Sequence, residues 1–175
     1  EACGAALAAV PQVPGRLERL SLPNGAIAVV DYAHTHDALA AVLGACRELT
    51  DGRLLAVFGC GGDRDRGKRP LMGAVVARDA DLAWITSDNP RGEEPASICV
   101  QIAEGFAAQP DPRARLSRVV VDRRSAIHEA LAAALPGDIV IVAGKGHEDY
   151  QLVGDRRLDF DDRQVIRDWV REQGA

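Results

Sequence analysis

Leu82-Ala-Trp-Ile-Thr86, then Ser87, then Asp88-Asn-Pro-Arg91 is the stretch whose reading decides the fold. Its first five residues form a short apolar run with aromatic and β-branched members, the composition of a buried strand. Asn89-Pro90 ends that run, because an Asx-Pro dipeptide initiates a turn. A helix-like segment follows. A pinned loop at the carboxyl end of a strand lies where open α/β sheets bind ligands. Arg91 presents a planar fork suited to a carboxylate, and Asp88 and Asn89 can receive an ammonium group. The tetrapeptide is also, taken alone, simply a good turn. As a site, its natural ligand is an amino acid.

Outward from this stretch, strand-like runs at 26–30, 53–58, 82–86, 118–121 and 138–142 alternate with helix-like ones. That alternation predicts an α/β fold, a Rossmann-like, doubly wound, mostly parallel sheet with helices on both faces. Helical spacing places Leu39, Val42, Leu43, Cys46 and Leu49 on one face. Ile127, Leu131 and Leu135 share another, and Val165, Ile166, Trp169 and Val170 a third. Pro70 stands where a helix can begin. Residues 17–22 and 26–30 are expected to form a hairpin through Pro23-Asn24-Gly25, and 150–153 and 157–160 another through Gly154-Asp155. The loops after Phe58, Thr86 and Val142 should meet at one edge of the sheet.

The 175 residues are one domain's worth, and 47% hydrophobic with 27% charged residues describes an ordinary globular protein. No run approaches the ~18 apolar residues of a membrane span and no signal peptide opens the chain, so a cytoplasmic protein without a membrane partner is expected. Cys3, Cys46, Cys60 and Cys99 lack C-x-x-C spacing, which argues against a zinc site or a disulfide framework. Three of them read as small core residues. A net charge of -5 disfavours nucleic acid. Arg64, Arg66, Lys68 and Arg69 cluster instead, which suits a small anionic ligand. The chain opens without methionine. Residues 1–10 read as the apolar end of a helix, and Pro11 and Pro14 as a linker.

Gly62 to Lys68 fits seven positions of the phosphate loop G-x-x-x-x-G-K, and then Arg69 stands where a magnesium-holding hydroxyl belongs. Asp63 and Asp65 also put negative charge into that cradle. The dinucleotide fingerprint fails because Arg64 replaces its third glycine. What remains is a glycine-rich turn that brings backbone close to a ligand and aims Arg64 at it. Gly144-Lys-Gly-His-Glu148 reads as a tight turn after a strand, whose glutamate can receive a substrate ammonium. Lys145 and His147 in it are as readily structural. His34 and His36 make only a weak case for a metal, since no second histidine cluster exists.

These motifs, together with Val13-Pro-Gly-Arg-Leu-Glu18 and Asp31-Tyr-Ala-His-Thr-His-Asp-Ala-Leu39, resemble in order and spacing the C-terminal domain of the Mur ligases, in particular the branch that adds meso-diaminopimelate. The resemblance covers nearly the whole chain. It implies that Arg64, Asp88, Asn89, Pro90, Arg91, Gly144 and Glu148 bind meso-diaminopimelate, and that Arg16, Asp31 and His34 contact ATP. It implies no catalytic residue and no metal ligand here, with ATP and Mg2+ held mainly by a central domain. Residues 1–15 would be the end of that domain and a linker, and 16–175 the amino-acid-binding domain. His36 departs from the family, which usually has proline there; a less rigid helix start is the expected consequence. Arg16 and Glu18 could equally form a surface ion pair.

The reaction so implied joins meso-diaminopimelate to a UDP-MurNAc-dipeptide through an acyl phosphate, in a monomer that closes on a hinge at 13–18. A lysine-adding homologue, a folyl-polyglutamate-type ligase and a non-catalytic amino-acid or nucleotide-binding module are the alternatives. Arg91 discriminates the first of these, because lysine has no distal carboxylate to grip.

Overall fold

A computed structural model describes residues 12–174 of the chain. The helix end expected at residues 1–10 lies outside the described residues. Among the described residues eight strands and five helices follow one another: β1 (Glu18–Ser21), β2 (Ile27–Asp31), α1 (His36–Arg47), β3 (Leu54–Phe58), α2 (Lys68–Asp79), β4 (Leu82–Ile85), α3 (Pro95–Ala107), β5 (Arg115–Val119), α4 (Arg123–Ala133), β6 (Ile139–Ala143), β7 (Tyr150–Val153), β8 (Arg156–Asp159) and α5 (Asp162–Gln173).

Six strands form one sheet in the order β1-β2-β6-β3-β4-β5, with β1 antiparallel to β2 and the other pairs parallel. β3 and β6 are buried along their whole length, as central strands covered on both faces must be. Alternate residues serve opposite cores. Ile139, Ile141 and Ala143 pack with α1, α2 and α3, while Val140 and Val142 pack with α4 and α5. Adjacent strands β3 and β6 therefore send the chain to opposite faces, α2 on one and α5 on the other. A crevice opens at such a switch point, above the carboxyl ends of the two strands.

Local signals set most boundaries. Thr35 caps α1 by accepting from the Ala38 N–H, and Asp122 and Asp161 cap α4 and α5 in the same way. Both expected hairpins form, with Gly25 and Gly154 at φ +84° and +57° in their turns. Cys46, Cys60 and Cys99 are buried free thiols. His36 is the first residue of α1, directly behind its Thr35 cap.

Three expectations need correction. The fifth strand lies at Arg115–Val119 instead of 118–121, because backbone pairing with β4 places it, while Leu116 and Val119 remain exposed on the sheet edge. Leu49 and Leu135 do not join their helical faces. The helices end at Arg47 and Ala133, and these leucines are 70% and 58% exposed.

Candidate amino-acid-binding cleft

Loops following β2, β3, β4 and β6 meet at the carboxyl edge of the sheet and enclose a cleft of 450 Å³. It collects Arg64 from the glycine-rich turn, Asp88, Asn89 and Arg91 from the loop after β4, Gly144 and Glu148 from the loop after β6, and His34 beside β2. Of the ten residues singled out in sequence, Arg16, Asp31 and Pro90 do not line it.

Asn89 organises the site. Its Nδ2 donates to Glu148 Oε2 at 2.9 Å, and its Oδ1 accepts from the Leu152 N–H at 3.0 Å and from Lys145 Nζ at 3.3 Å. The Asp88 carbonyl accepts from Gln151 Nε2 at 2.8 Å. Arg91 adopts φ +52°, a left-handed conformation rare outside glycine, and is held there by β7: its N–H donates to the Leu152 carbonyl and its own carbonyl accepts from the Gly154 N–H. The β7–β8 hairpin is thus the backboard of the loop. Arg91 Nη1 donates to the Gly62 carbonyl at 3.0 Å, fixing the guanidinium while its other nitrogens make no hydrogen bond among the described residues. Pro90 is buried beneath, with the position of a Gly62 Cβ only 1.9 Å from its carbonyl oxygen. Gly62 must be glycine for the two loops to touch.

Two buried arginines lock these loops: Arg123, which the sequence did not single out, and Arg69, which the sequence grouped with a cluster for an anionic ligand but which turns inward onto Glu93. Arg123 is 1% exposed; its Nε and Nη2 donate to the two Asp162 oxygens at 2.8 and 2.7 Å. It also donates to the carbonyls of Ser87 at 3.3 Å and Ala143 at 3.0 Å, tying the ends of β4 and β6 to the start of α5. Burial works against its charge, and Asp162 more than restores it, so its pKa is raised. Arg69, fully buried, grips Glu93 at 2.8 and 3.1 Å. Glu93 also accepts from the Asp63 N–H, joining the glycine-rich turn to the loop after β4. The Arg69 hydrogen bonds hold the Glu93 carboxyl down at about 2. An arginine in a charged run reads as surface; each lies at a helix start, and Arg69 alone of the two stands within one of the motifs.

The expected nucleotide residues sit around the linker. Arg16 stacks over the Tyr32 ring at 4.6 Å, and His34 packs edge-on to it at 4.7 Å. Asp31 is buried, and its oxygens accept from the N–H groups of Leu17 and Ala33, each at 2.8 Å. Glu18 does not pair with Arg16: it is buried, accepts from the Gly15 N–H at 2.8 Å and pairs with Arg167 at 2.9 Å. Burial forces it onto the nearest cation that α5 presents. Among the described residues no three His, Cys, Asp or Glu side chains gather as a metal site, and no helix is long and apolar enough to cross a membrane.

A forked cation, two carboxylates and a glycine-rich turn on a switch-point crevice are groups able to receive the carboxylate and the ammonium of a zwitterionic small molecule. The chain matches the family model for the Mur ligase, glutamate ligase domain, over residues 15–146, and it belongs to that family. It is 49% identical over 166 residues to the UDP-N-acetylmuramoyl-L-alanyl-D-glutamate–2,6-diaminopimelate ligase of Syntrophomonas wolfei, a match covering 95% of this chain and 33% of the relative. The chain thus spans about a third of the length of that relative. A solved structure of a ligase of the same name superposes with a TM-score of 0.83 at 42% identity, over 95% of this chain and 33% of the other. A bifunctional folylpolyglutamate synthase/dihydrofolate synthase from Yersinia pestis, complexed with AMPPNP and Mn ion, gives a TM-score of 0.57 at 25% identity over 78% of this chain and 29% of that one.

Proposed function

We propose that the chain is the amino-acid-binding domain of a ligase that adds meso-diaminopimelate to UDP-MurNAc-L-Ala-D-Glu in peptidoglycan precursor synthesis. Residues 16–175 constitute that domain, and residues 1–15 the end of a central ATPase domain and its linker. The carrying observation is that Arg91 and the Asp88–Glu148 carboxylates face one cleft, an arrangement that takes a carboxylate and an ammonium of the same ligand. Arg64 joins Arg91 on the anionic side. The lysine-adding alternative fits less well, since a lysine chain would leave the Arg91 fork without its carboxylate.

Catalysis by this domain is orientation: it presents the amine to an acyl phosphate formed elsewhere in the enzyme, on ATP contacted here by Arg16, Asp31 and His34. ATP supplies the phosphoryl group that activates the D-glutamate carboxylate. ATP and Mg2+ are assigned mainly to the central domain. A cytoplasmic, monomeric enzyme accords with this reading.

The test is a coupled phosphate-release assay with the UDP-linked dipeptide, ATP and either meso-diaminopimelate or lysine. The full-length ligase should turn over with diaminopimelate and hardly with lysine, and the 175-residue chain alone should release no phosphate. Equal rates with the two amino acids would overturn the substrate assignment. Turnover by the chain alone would overturn the division of labour.

A further inference from the structure

Lys145 is fully buried directly beneath the cleft, although its sequence setting between two glycines suggests an exposed turn. Those glycines put it there. Gly144 and Gly146 adopt φ +119° and +54°, and Gly146 packs so closely on Gly15 and Tyr32 that a Cβ would lie 2.7 Å from each of them. The turn therefore folds inward and delivers the side chain under the loop after β4. Its Nζ lies 3.3 Å from Glu148 Oε2, 3.3 Å from Asn89 Oδ1 and 3.6 Å from Asp88 Oδ1, with the Tyr150 ring behind it at 5.5 Å. Of 21 lysines and arginines only Lys68 and Lys145 are lysine; Lys68 lines the cleft and Lys145 lies beneath it. A compact ammonium fits a three-oxygen pocket that a planar guanidinium would not.

We propose that Lys145 is a positioning residue for the amino-acid substrate, fixing Asp88 and Glu148 so that the pair carries one unmatched negative charge toward the cleft. The proposal rests on the reading of the cleft as the amino-acid site. Asp88 Oδ1 is buried without a hydrogen bond, so Lys145 is the cation that compensates it. Glu148 is held through Oε2 alone, leaving Oε1 free of hydrogen bonds among the described residues. Two carboxylates against one fixed ammonium make a site that becomes neutral when a single substrate ammonium enters. Without Lys145 the carboxylates would repel each other and Asn89 would lose a donor that holds its amide in register. The lysine touches no reacting atom. It acts through the three side chains above it.

In the full-length enzyme, Lys145→Met and Lys145→Ala should raise KM for meso-diaminopimelate by roughly thirtyfold or more, the lower end for truncating one partner of a buried charge pair, with KM for ATP unchanged. Propylammonium, which supplies the missing atoms of the side chain, should restore Lys145→Ala, and the uncharged n-propanol should not. An unchanged diaminopimelate KM in folded Lys145→Met overturns the proposal. So does equal rescue by n-propanol, or a parallel rise in both KM values, since either marks simple packing. Should both variants fail to fold, the wild-type enzyme labelled with 15N at lysine Nζ decides: saturating diaminopimelate must shift the Lys145 signal, and an unshifted signal overturns the proposal. A wild-type enzyme that does not use diaminopimelate would refute the substrate reading itself, a result distinct from all of these.

Discussion

Asp31, at the end of β2, holds the backbone of Leu17 in the linker: its Oδ2 accepts the Leu17 N–H at 2.8 Å, and Leu17 sits at φ +45°. A left-handed leucine is costly on its own. The same carboxylate caps the Ala33 N–H through Oδ1, so one buried side chain sets the linker and the loop leading to His34 together.

Asp31→Ala should consequently weaken use of ATP by on the order of 1 kcal/mol or somewhat more, the worth of a lost hydrogen bond, while the requirement for diaminopimelate stays put. The linker would also loosen. KM for each substrate in the full-length enzyme is the measurement. A raised diaminopimelate KM with ATP unaffected would refute the assignment of Asp31.

Arg91→Ala should remove most discrimination between diaminopimelate and lysine, costing ~2 to 5 kcal/mol on diaminopimelate. Glu148→Ala should weaken diaminopimelate through its ammonium, with ATP preserved. The left-handed backbone at Arg91 supplies a control: Arg91→Gly relieves strain that Arg91→Ala retains, so equal selectivity in both variants isolates the loss of the fork. The readout is the ratio of catalytic efficiencies. An unchanged ratio would shift the role to Arg64.

Arg123→Ala should destabilise the domain by about 3 to 5 kcal/mol, because Asp162 would be left buried without its partner. Replacing both residues together, as Arg123→Met with Asp162→Leu, should cost less than the two single changes combined. Urea denaturation of the three variants checks this. Strict additivity would mean that the pair does not act as a unit.

Acid should unfold the region around the glycine-rich turn first. Glu93 ionises near 2 when folded against an ordinary 4.5, so its stabilising contribution is complete above pH 4.5 and disappears as pH falls toward about 2. Asp81 and Asp138 add to this trend; burial raises each, and hydrogen bonds from Arg47 and Arg53 respectively outweigh it. Glu93→Gln should lower stability at pH 7 and flatten the pH dependence between 4.5 and 2, measured by denaturation at each pH. A wild-type slope in the variant would refute the role given to the Arg69–Glu93 clamp.

Sequence alone determined most of the elements and which residues are proposed for the site. Continuous apolar runs, Asx caps and glycine turns are local properties, and a strand such as Ile139–Ala143 or a turn such as Gly154-Asp155 is set by the residues themselves. Asp88, Asn89 and Arg91 were legible because turn chemistry fixed them to a strand end, and Gly144 and Glu148 because their motif resembles the family's; strand ends of a parallel sheet share one edge. Only the tertiary structure decided the insertion of β6 between β2 and β3, the start of β5 at Arg115, and the burial of Arg69, Arg123 and Lys145. Strand order is a matter of which backbone edge pairs with which, to which no side-chain period refers. A cation's burial depends on a carboxylate from elsewhere in the chain: Asp162 lies 39 residues from Arg123, and Asp88 reaches Lys145 from a different strand end. In the sequence each of these cations stands among other charges and glycines, and only when distant loops meet does its charge find a partner that makes burial tolerable.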